Sequence, residues 1–469
     1  MAHEPTVLPE DIVVEVLRRL PPHNLAASRW VCKAWRDIID DHLRSQLLSH
    51  SVRGIFINYT THTMSEFFTR PSAGPALCGG FDWLPCQGVR VTDHCNGLLL
   101  CTDWKHDYVV NPATRRWTRL PLRPPPHVPG FGQAAYLTFD HVVSPHFEVY
   151  LIPQVPCVGA ATLLQTEWPP ASHVMHVFSS MTKRWDTKTF IREGVSGDMA
   201  SGLFGDMASG PSWDGRNRAV YWQGALYVHD QCGSAGDFVM RMCLSNSMYQ
   251  VIKMPDPLGF HPRHHLGRSM RGLYRALSHS SYGLQFWHLD ESCGQIKWVL
   301  KHDRRFHLRG DYAQHMDKHW ILQDVNYRKG SFFEGDRRTY GNYDQALVEE
   351  KYEWDSDDDN IILDSEYVGR EKWEAERVGF LGFHPYKEVV FLTNKCNKAV
   401  AYDWNTSKFQ YLGPTLPKHY EELTMQYKGI VTYFPYTPCW MYELQTINSE
   451  SQLEDEQLSG KSLENLGQK

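Results

Sequence analysis

The amino-acid sequence predicts a mainly β protein with a small α-helical unit at its N-terminus. Aromatic residues make up 13% of the 469 residues and accompany 34 Gly and 27 Pro, a composition that favours strands joined by turns. A pattern of apolar run, polar turn and aromatic residue recurs from about residue 50 to residue 445. Helical periodicity of apolar residues marks the first 45 residues instead.

Charge and targeting signals argue against several classes of protein. The net charge of −6 is spread over the chain, and no basic stripe with interleaved aromatic residues offers a nucleic-acid footprint. The N-terminus lacks the order of a secretory signal, and no run of about 18 apolar residues could span a bilayer. The eleven cysteines form no Cys-x-x-Cys pair and are expected to be reduced. We therefore expect a cytoplasmic or nuclear protein without nucleic-acid or membrane partners.

The first helix is predicted to begin at Pro9. Proline is tolerated in a first helical turn, and Glu10 and Asp11 place negative charge at the positive end of the helix dipole. The apolar residues that follow form a stripe of roughly 140°, wider than one neighbouring helix needs. They are Ile12, Val13, Val16, Leu17 and Leu20. Two different surfaces are therefore expected to cover this helix.

Two further short helices are expected within the next twenty residues. Pro21 and Pro22 end the first helix, a second helix is predicted over 25–30, and a third over 31–41. In the third helix Val31, Trp35 and Ile38 share one face, with Ile39 beside them. A unit of about 35 residues buries too little surface to be secure alone, so a partner that completes its core is expected.

The sequence from Leu8 to Ile39, LPEDIVVEVLRRLPPHNLAASRWVCKAWRDII, resembles an F-box. The matching features are two Leu-Pro pairs, the acidic start and Val-Cys-Lys-x-Trp. The resemblance implies that the unit docks onto a Skp-family adaptor, and through it onto the cullin and RING protein of a ubiquitin ligase. The residues expected to bind the adaptor are Leu8, Pro9, Ile12, Val16, Leu17, Leu20, Pro21, Leu25, Val31, Cys32 and Trp35. The alternative is a helical cap that packs only on its own domain.

The repeating β unit is clearest from Cys95 to Pro121. There GLLLC and YVV are predicted strands, NPATR a turn and WTRL the returning strand. The aromatic residues that open the returning strands are Trp117, Trp185, Tyr249, Trp298 and Phe409, separated by 68, 64, 49 and 111 residues. In three copies a Thr precedes the aromatic by three residues. The last interval is about double the others, so one copy is expected to be missing or degenerate there.

A period near 50 residues with four short strands per unit is typical of a kelch-like β-propeller. Residues 50–445 leave room for six blades, with seven as the competitor, and a pair of β-sandwiches is the alternative fold. The segments CNGLLLC and NPATRRW also resemble the F-box-associated interaction domain common in plant F-box proteins. The predicted organisation is thus an F-box at 1–45 and a propeller-like substrate-binding domain at 50–445, with an acidic mobile insertion at about 330–377. Residues 446–469 are predicted to be a disordered tail.

Catalysis by this chain is not expected. The densest His cluster, His261–His265, could suggest a copper or zinc site together with Tyr274 or Cys293, but its spacing fits no known ligand pattern. The sequence has no nucleophile elbow and no phosphate loop. We predict no metal and no cofactor.

The predicted function is that of the substrate-recognition subunit of an SCF-type ubiquitin ligase, which holds an unidentified protein substrate on loops at one propeller rim. The alternatives are a free-standing kelch-like scaffold and a propeller metalloenzyme.

Overall fold

The computed structural model describes the helices, the strands and most of the short turns between them. The described residues are 9–47, 50–60, 62, 64–70, 77–86, 88–154, 169–194, 219–231, 237–255, 263–278, 283–292, 296–305, 320–323, 378–394, 397–417, 429–440 and 444. The predicted acidic insertion at about 330–377 and the predicted tail at 446–469 lie outside these ranges. No helix within them is long and apolar enough to cross a bilayer.

Four helical segments form the N-terminal part, which we call the helical unit (residues 9–47). They are α1 (Glu10–Arg18), α2 (Pro22–Ser28), α3 (Lys33–Ile38) and α4 (Arg44–Leu47), with a wider π-type turn at Ile39–Leu43 between the last two. The second helix starts earlier than 25–30 because Pro22 suits a first helical position. The third starts later than 31–41 because Cys32 caps it, accepting a hydrogen bond from the Trp35 amide.

Within the described ranges, twenty-four strands form six four-stranded blades, which confirms the predicted mainly β propeller. From the innermost strand outward, blade 1 is β24 (Ile430–Tyr436), β1 (Gly54–Tyr59), β2 (Ser65–Thr69) and β19 (Ile321–Leu322); blade 2 is β3 (Arg90–Cys95), β4 (Leu98–Thr102), β5 (Asp107–Asn111) and β6 (Arg116–Arg119); blade 3 is β7 (Gly132–Thr138), β8 (Glu148–Gln154), β9 (Ser172–Ser179) and β10 (Arg184–Arg192).

The other three blades follow the same order. Blade 4 is β11 (Ala219–Trp222), β12 (Ala225–Gln231), β13 (Asp237–Cys243) and β14 (Met248–Lys253); blade 5 is β15 (Arg263–Ser269), β16 (Gly272–Ser278), β17 (Gly283–Asp290) and β18 (Lys297–Arg305); blade 6 is β20 (Gly379–Phe383), β21 (Val389–Thr393), β22 (Lys398–Asp403) and β23 (Lys408–Pro414). The inner strands contact one another in a ring. Blades 3 and 4 are joined into one eight-stranded sheet because β10 pairs with β14 at their outer edges.

The ring closes where the two ends of the propeller sequence meet. Strand β24, close to the end of the domain, pairs antiparallel with β1 along its whole length, from Gly54 opposite Tyr436 to Tyr59 opposite Ile430. Because the first and last strands of the propeller pair in this way, the ring of blades has no gap where it closes. The first blade is therefore assembled from residues more than 370 positions apart in the sequence.

The aromatic residues that mark the repeat all occupy the same place in the fold. Each is the second residue of an outermost strand, in blades 2 to 6 respectively. In blades 2, 3, 4 and 6 a four-residue turn leads into that strand, and its last residue has a left-handed backbone: Arg115, Lys183, Ser247 and Ser407, with φ of 53° to 59°. The repeated spacing therefore reflects one hairpin geometry used repeatedly.

Among the described residues of the long interval before Phe409, a short strap is found where a further copy was expected. Residues 320–323 leave the sequence between blades 5 and 6 and supply the outermost strand of blade 1, with Ile321 opposite Thr69. The Trp320 amide donates to the Leu412 carbonyl of blade 6, so the strap bridges the last and first blades. We call these four residues the closing strap.

The propeller has two faces that differ in their connections. Each inner strand runs towards the face where β24 ends and β1 begins, which we call the near face because the helical unit precedes β1 there. Near-face turns are short, such as 96–97, 223–224 and 112–115. Three long connections, 155–171, 193–218 and 323–378, join strand ends at the opposite face, which we call the far face.

Candidate functional site

The helical unit has its own small hydrophobic core. The side chains of Leu17, Leu25, Ile39, Leu43 and Leu47 are at most 1% exposed and pack together. Each helix contributes to this cluster or packs against it, so the unit folds around residues drawn from all of its segments. The core is thus already filled by the chain's own side chains.

Other apolar side chains of the unit point away from this core. The exposed fractions are 47% for Ile12, 53% for Val16, 56% for Trp30 and 65% for Val31. Ile12 and Val16 lie one helical turn apart on α1 and therefore share a face. We call these four residues the exposed apolar set. Large apolar side chains left in water within one small unit are typical of a docking surface.

The wide apolar stripe predicted on the first helix is divided between these two environments. Leu17 is enclosed, and Val13 and Leu20 pack against the core from its edge. Ile12 and Val16 remain in solvent. The chain itself covers one side of the stripe and leaves the other side open.

The residues predicted to bind an adaptor fall into three groups. Leu17 and Leu25 are enclosed in the core, and Leu20 and Trp35 are half-buried against it, so these four shape the unit. Exposed positions are Pro9, Ile12, Val16, Pro21, Val31 and Cys32. Leu8 lies outside the described residues. Their role in adaptor binding stays a prediction.

An ion pair inside the helical unit was not foreseen from the sequence. The Arg29 guanidinium donates to both Asp40 carboxylate oxygens, Nε to Oδ1 at 2.9 Å and Nη2 to Oδ2 at 2.8 Å. This two-point contact ties the end of α2 to the turn after α3. Opposite charges eleven residues apart give no local signal that such a contact will form.

The helical unit is joined to the propeller by the segment that follows β24. Trp440 packs against the core of the helical unit. On its other side the Cys439 carbonyl accepts a hydrogen bond of 2.9 Å from Asn111 Nδ2 of blade 2. Gly97 makes room for this crossing, since a Cβ there would lie 2.5 Å from Cys439 Cβ. The helical unit is therefore anchored to the near face of the propeller.

The inner strands enclose a cavity of about 110 Å³ on the axis of the propeller. Asp93 lines it, and burial raises the pKa of its carboxyl to about 7, although the Leu137 amide donates to Oδ2 at 2.7 Å. Arg268 also lines the cavity and donates to Asn96 Oδ1 at 2.6 Å. Both groups therefore form hydrogen bonds within the described part of the chain.

The residues considered for a metal site have other partners where they are described. His265 stacks on Phe380 with ring centroids 4.5 Å apart, and its Nδ1 lies 2.6 Å from the Tyr433 hydroxyl. The Tyr274 hydroxyl donates to Glu388 Oε1 at 3.4 Å. His261 and Cys293 lie outside the described residues. Within the described ranges, no group of three or more His, Cys, Asp or Glu side chains could hold a metal ion.

Comparison with known proteins identifies the helical unit. Residues 6–48 match the family model described as F-box-like. An F-box/kelch-repeat protein of Arabidopsis thaliana is 26% identical over 199 residues, covering 39% of this chain and 46% of the relative. An F-box protein of the same plant is 24% identical over 260 residues, covering 53% of this chain and 61% of the relative. The chain therefore spans about half the length of these curated relatives.

Similar solved structures share only a low level of likeness. YCF48 from Cyanidioschyzon merolae has a TM-score of 0.33 and 10% identity, covering 77% of this chain and 85% of that chain. The propeller assignment depends instead on the strand order and the closed ring of inner strands.

Proposed function

Because the chain is an F-box protein of the plant type with a kelch-like propeller, we propose that it is the substrate-recognition subunit of an SCF-type ubiquitin ligase. F-box domains generally bind Skp-type adaptors, and F-box proteins are generally non-catalytic subunits. In this proposal the helical unit binds the adaptor, the adaptor brings the cullin and RING protein, and the propeller holds the protein to be ubiquitinated.

The observation that supports adaptor binding is the exposed apolar set on a unit whose core is already filled. The exposed apolar set has side chains that are each about half exposed or more: Ile12, Val16, Trp30 and Val31. The unit does not need these side chains for its own core, because other residues fill that core. Covering side chains of this size removes apolar surface from water, and each Å² removed stabilises the complex by about 25 cal/mol. An adaptor that covers the set is the partner expected for an F-box.

The arrangement of the two domains suits a tethering mechanism. The helical unit is attached at the near face through Trp440, and three long connections join strands at the far face. A substrate held on the propeller and a conjugating enzyme held beyond the adaptor would meet at high effective concentration. The chain then supplies selection and geometry, while other subunits supply the chemistry. We propose the cytoplasm or nucleus as its location.

Capture of a purified Skp-family adaptor tests the proposal. The double variant Val16→Asp with Val31→Asp places charge on the exposed apolar set, and we expect it to lose capture. These positions are cleaner than Leu20 or Trp35, which are part of the packing inside the unit. The matched control is Val142→Asp with Val143→Asp, two propeller valines that are 67% and 78% exposed. It should bind the adaptor like the unmodified chain.

Two results would contradict the proposal. Equal capture by the variant with changed helices and by the control would mean that another surface binds the adaptor. No capture by the unmodified chain would favour a free-standing kelch-like scaffold.

A further inference from the structure

A second open site lies on the side of the propeller, between the outer strands of blades 4 and 5. Its volume is about 670 Å³, and its floor is formed by Ile252, Met254, Ile296 and Trp298. We call it the edge groove. Ligand sites usually measure about 300–1,000 Å³, so this groove can hold several residues of an extended peptide.

One wall of the edge groove is a strand edge that is only partly paired. On its inner side β14 pairs with β13 along its length, whereas on its outer side β10 pairs with it only at Met248 and Tyr249. Hydrogen bonds run from the Ile191 amide to the Ser247 carbonyl at 3.0 Å and from the Glu193 amide to the Tyr249 carbonyl at 2.7 Å. The edge therefore already accepts a parallel strand.

The pairing stops while the edge continues. Outward-facing carbonyls at positions 247 and 249 mean that the backbone groups of Val251 and Lys253 face outward too, because bonding direction alternates along a strand. Neither residue has a second strand beside it among the described parts of the chain. An unpaired edge of this kind is the template for strand addition by another chain.

Two side-chain atoms beside this edge also lack hydrogen-bond partners within the described ranges. They are Gln250 Oε1, an acceptor, and Trp298 Nε1, a donor, and both are shielded from solvent. The other amide atom of Gln250, Nε2, donates to Glu193 Oε2 at 2.6 Å. Leaving a buried polar group unpaired is unfavourable.

The charges around the groove select among extended peptides. Lys253 and Lys297 line the groove and are exposed, whereas the Glu193 carboxylate is engaged by Gln250. A lysine at a strand edge can also serve to discourage pairing. The apolar floor and the partly paired edge of β14 favour a binding role here, with the lysines selecting for acidic residues in the partner.

We propose that the edge groove binds an extended protein segment by strand addition to β14, with alternate apolar side chains on the groove floor and acidic residues beside Lys253 and Lys297. The added strand would run parallel to β14 and continue the pairing that β10 begins. The inference rests on the proposed function only in taking this segment to be part of a substrate.

Selection from a displayed library of random peptides about twelve residues long tests the inference on the full chain, since such a length exceeds the free edge. Enriched peptides should alternate apolar and polar residues and include acidic ones. When they bind, hydrogen exchange at the outward amides of Val251 and Lys253 should slow. Methylation of alternate peptide nitrogens should abolish binding, because strand addition uses those backbone groups.

Variants of the chain test the site directly. Val251→Pro removes an outward amide that pairs with no described strand, and Lys253→Glu with Lys297→Glu reverses the charge. We expect each to weaken binding by about tenfold or more. Lys301→Glu, an exposed change on the same strand β18 but away from the groove, is the matched control and should bind normally.

Three results would overturn the inference: no enriched peptide, binding that survives both groove variants, or outward amides of Val251 and Lys253 that are already protected in the free chain, which would mean that the chain covers its own edge. Adaptor capture by the same preparation is measured in parallel. Capture without peptide binding would defeat only this inference, and peptide binding without capture would defeat only the proposed function.

Discussion

Replacement of Trp320 by Ala should destabilise the propeller more than any other change in the closing strap. Trp320 is 6% exposed, its ring centroid lies 5.3 Å from that of Phe68 in blade 1, and 5.8 Å from that of Phe391 in blade 6. The side chain therefore fills the junction at which the first and last blades meet. Its neighbours are fixed in strands and cannot collapse freely into the space it leaves.

The expected loss follows from the area that this residue buries. A tryptophan that buries about 200 Å² contributes about 5 kcal/mol at about 25 cal/mol per Å², and the alanine retains a small part of this. Measured losses for buried Trp or Phe to Ala are about 3–5 kcal/mol. We therefore expect Trp320→Ala to lower the free energy of unfolding by about 4 kcal/mol.

Urea unfolding followed by circular dichroism measures this loss. The adjacent Ile321→Ala is the matched control, because Ile321 is 57% exposed and belongs to the same closing strap. Ile321→Ala should change the free energy of unfolding by less than about 1 kcal/mol. If the two substitutions have similar effects, or if Trp320→Ala lowers the free energy of unfolding by less than about 1 kcal/mol, the view that this strap closes the ring is refuted.

Two further predictions concern the anchoring segment and the axial cavity. Trp440→Ala should loosen the helical unit from the near face, so proteolysis within residues 9–53 should become faster while unfolding of the propeller changes little. The control is Trp104→Ala, at a far-face residue that is 91% exposed, and it should not change proteolysis. Equal cleavage of the two variants would contradict the anchoring role. Burial raises the pKa of Asp93 from 3.8 to about 7, so the folded state holds this proton more tightly and its contribution to stability is lost as pH rises through that range. The melting temperature of Asp93→Asn relative to the unmodified chain should therefore rise between pH 5 and pH 8, and a constant difference would count against the buried carboxyl.

Much of the fold could be predicted because the local physics repeats. Each hairpin into an outermost strand needs the same turn and places an aromatic residue at the same position, as at Trp117 and Trp185, so the period appears directly in the sequence. The helical unit was predictable for a similar reason, since proline and acidic residues mark its first helix. In both cases a few neighbouring residues determine the geometry.

The closing strap and the anchoring segment could not be predicted in this way. Strand β19 has two residues, too few for any periodicity, and its partner Phe68 lies about 250 positions away. Trp440 lies about 400 positions after the helical unit, and the closed ring brings the two together. Such contacts depend on the arrangement of all six blades. The open edge of β14 likewise depends on where β10 stops pairing with it. No local pattern in the sequence predicts the arrangement of the blades or the end of this pairing.

The division of the apolar stripe on α1 has a similar origin. Ile12, Val13, Val16 and Leu17 are all apolar, and the sequence alone indicates only that two surfaces should cover them. Which residues face inward is decided by the position of the other helices. The structure assigns Leu17 to the core and leaves Ile12 and Val16 in solvent.

Amide hydrogen exchange of the full chain, with and without a purified Skp-family adaptor, tests most directly whether the exposed apolar set is a docking surface. The adaptor should slow exchange in residues 10–18 and 29–38 and leave the six blades unchanged. Exchange that slows only in the blades, or nowhere, would contradict adaptor binding through the helical unit.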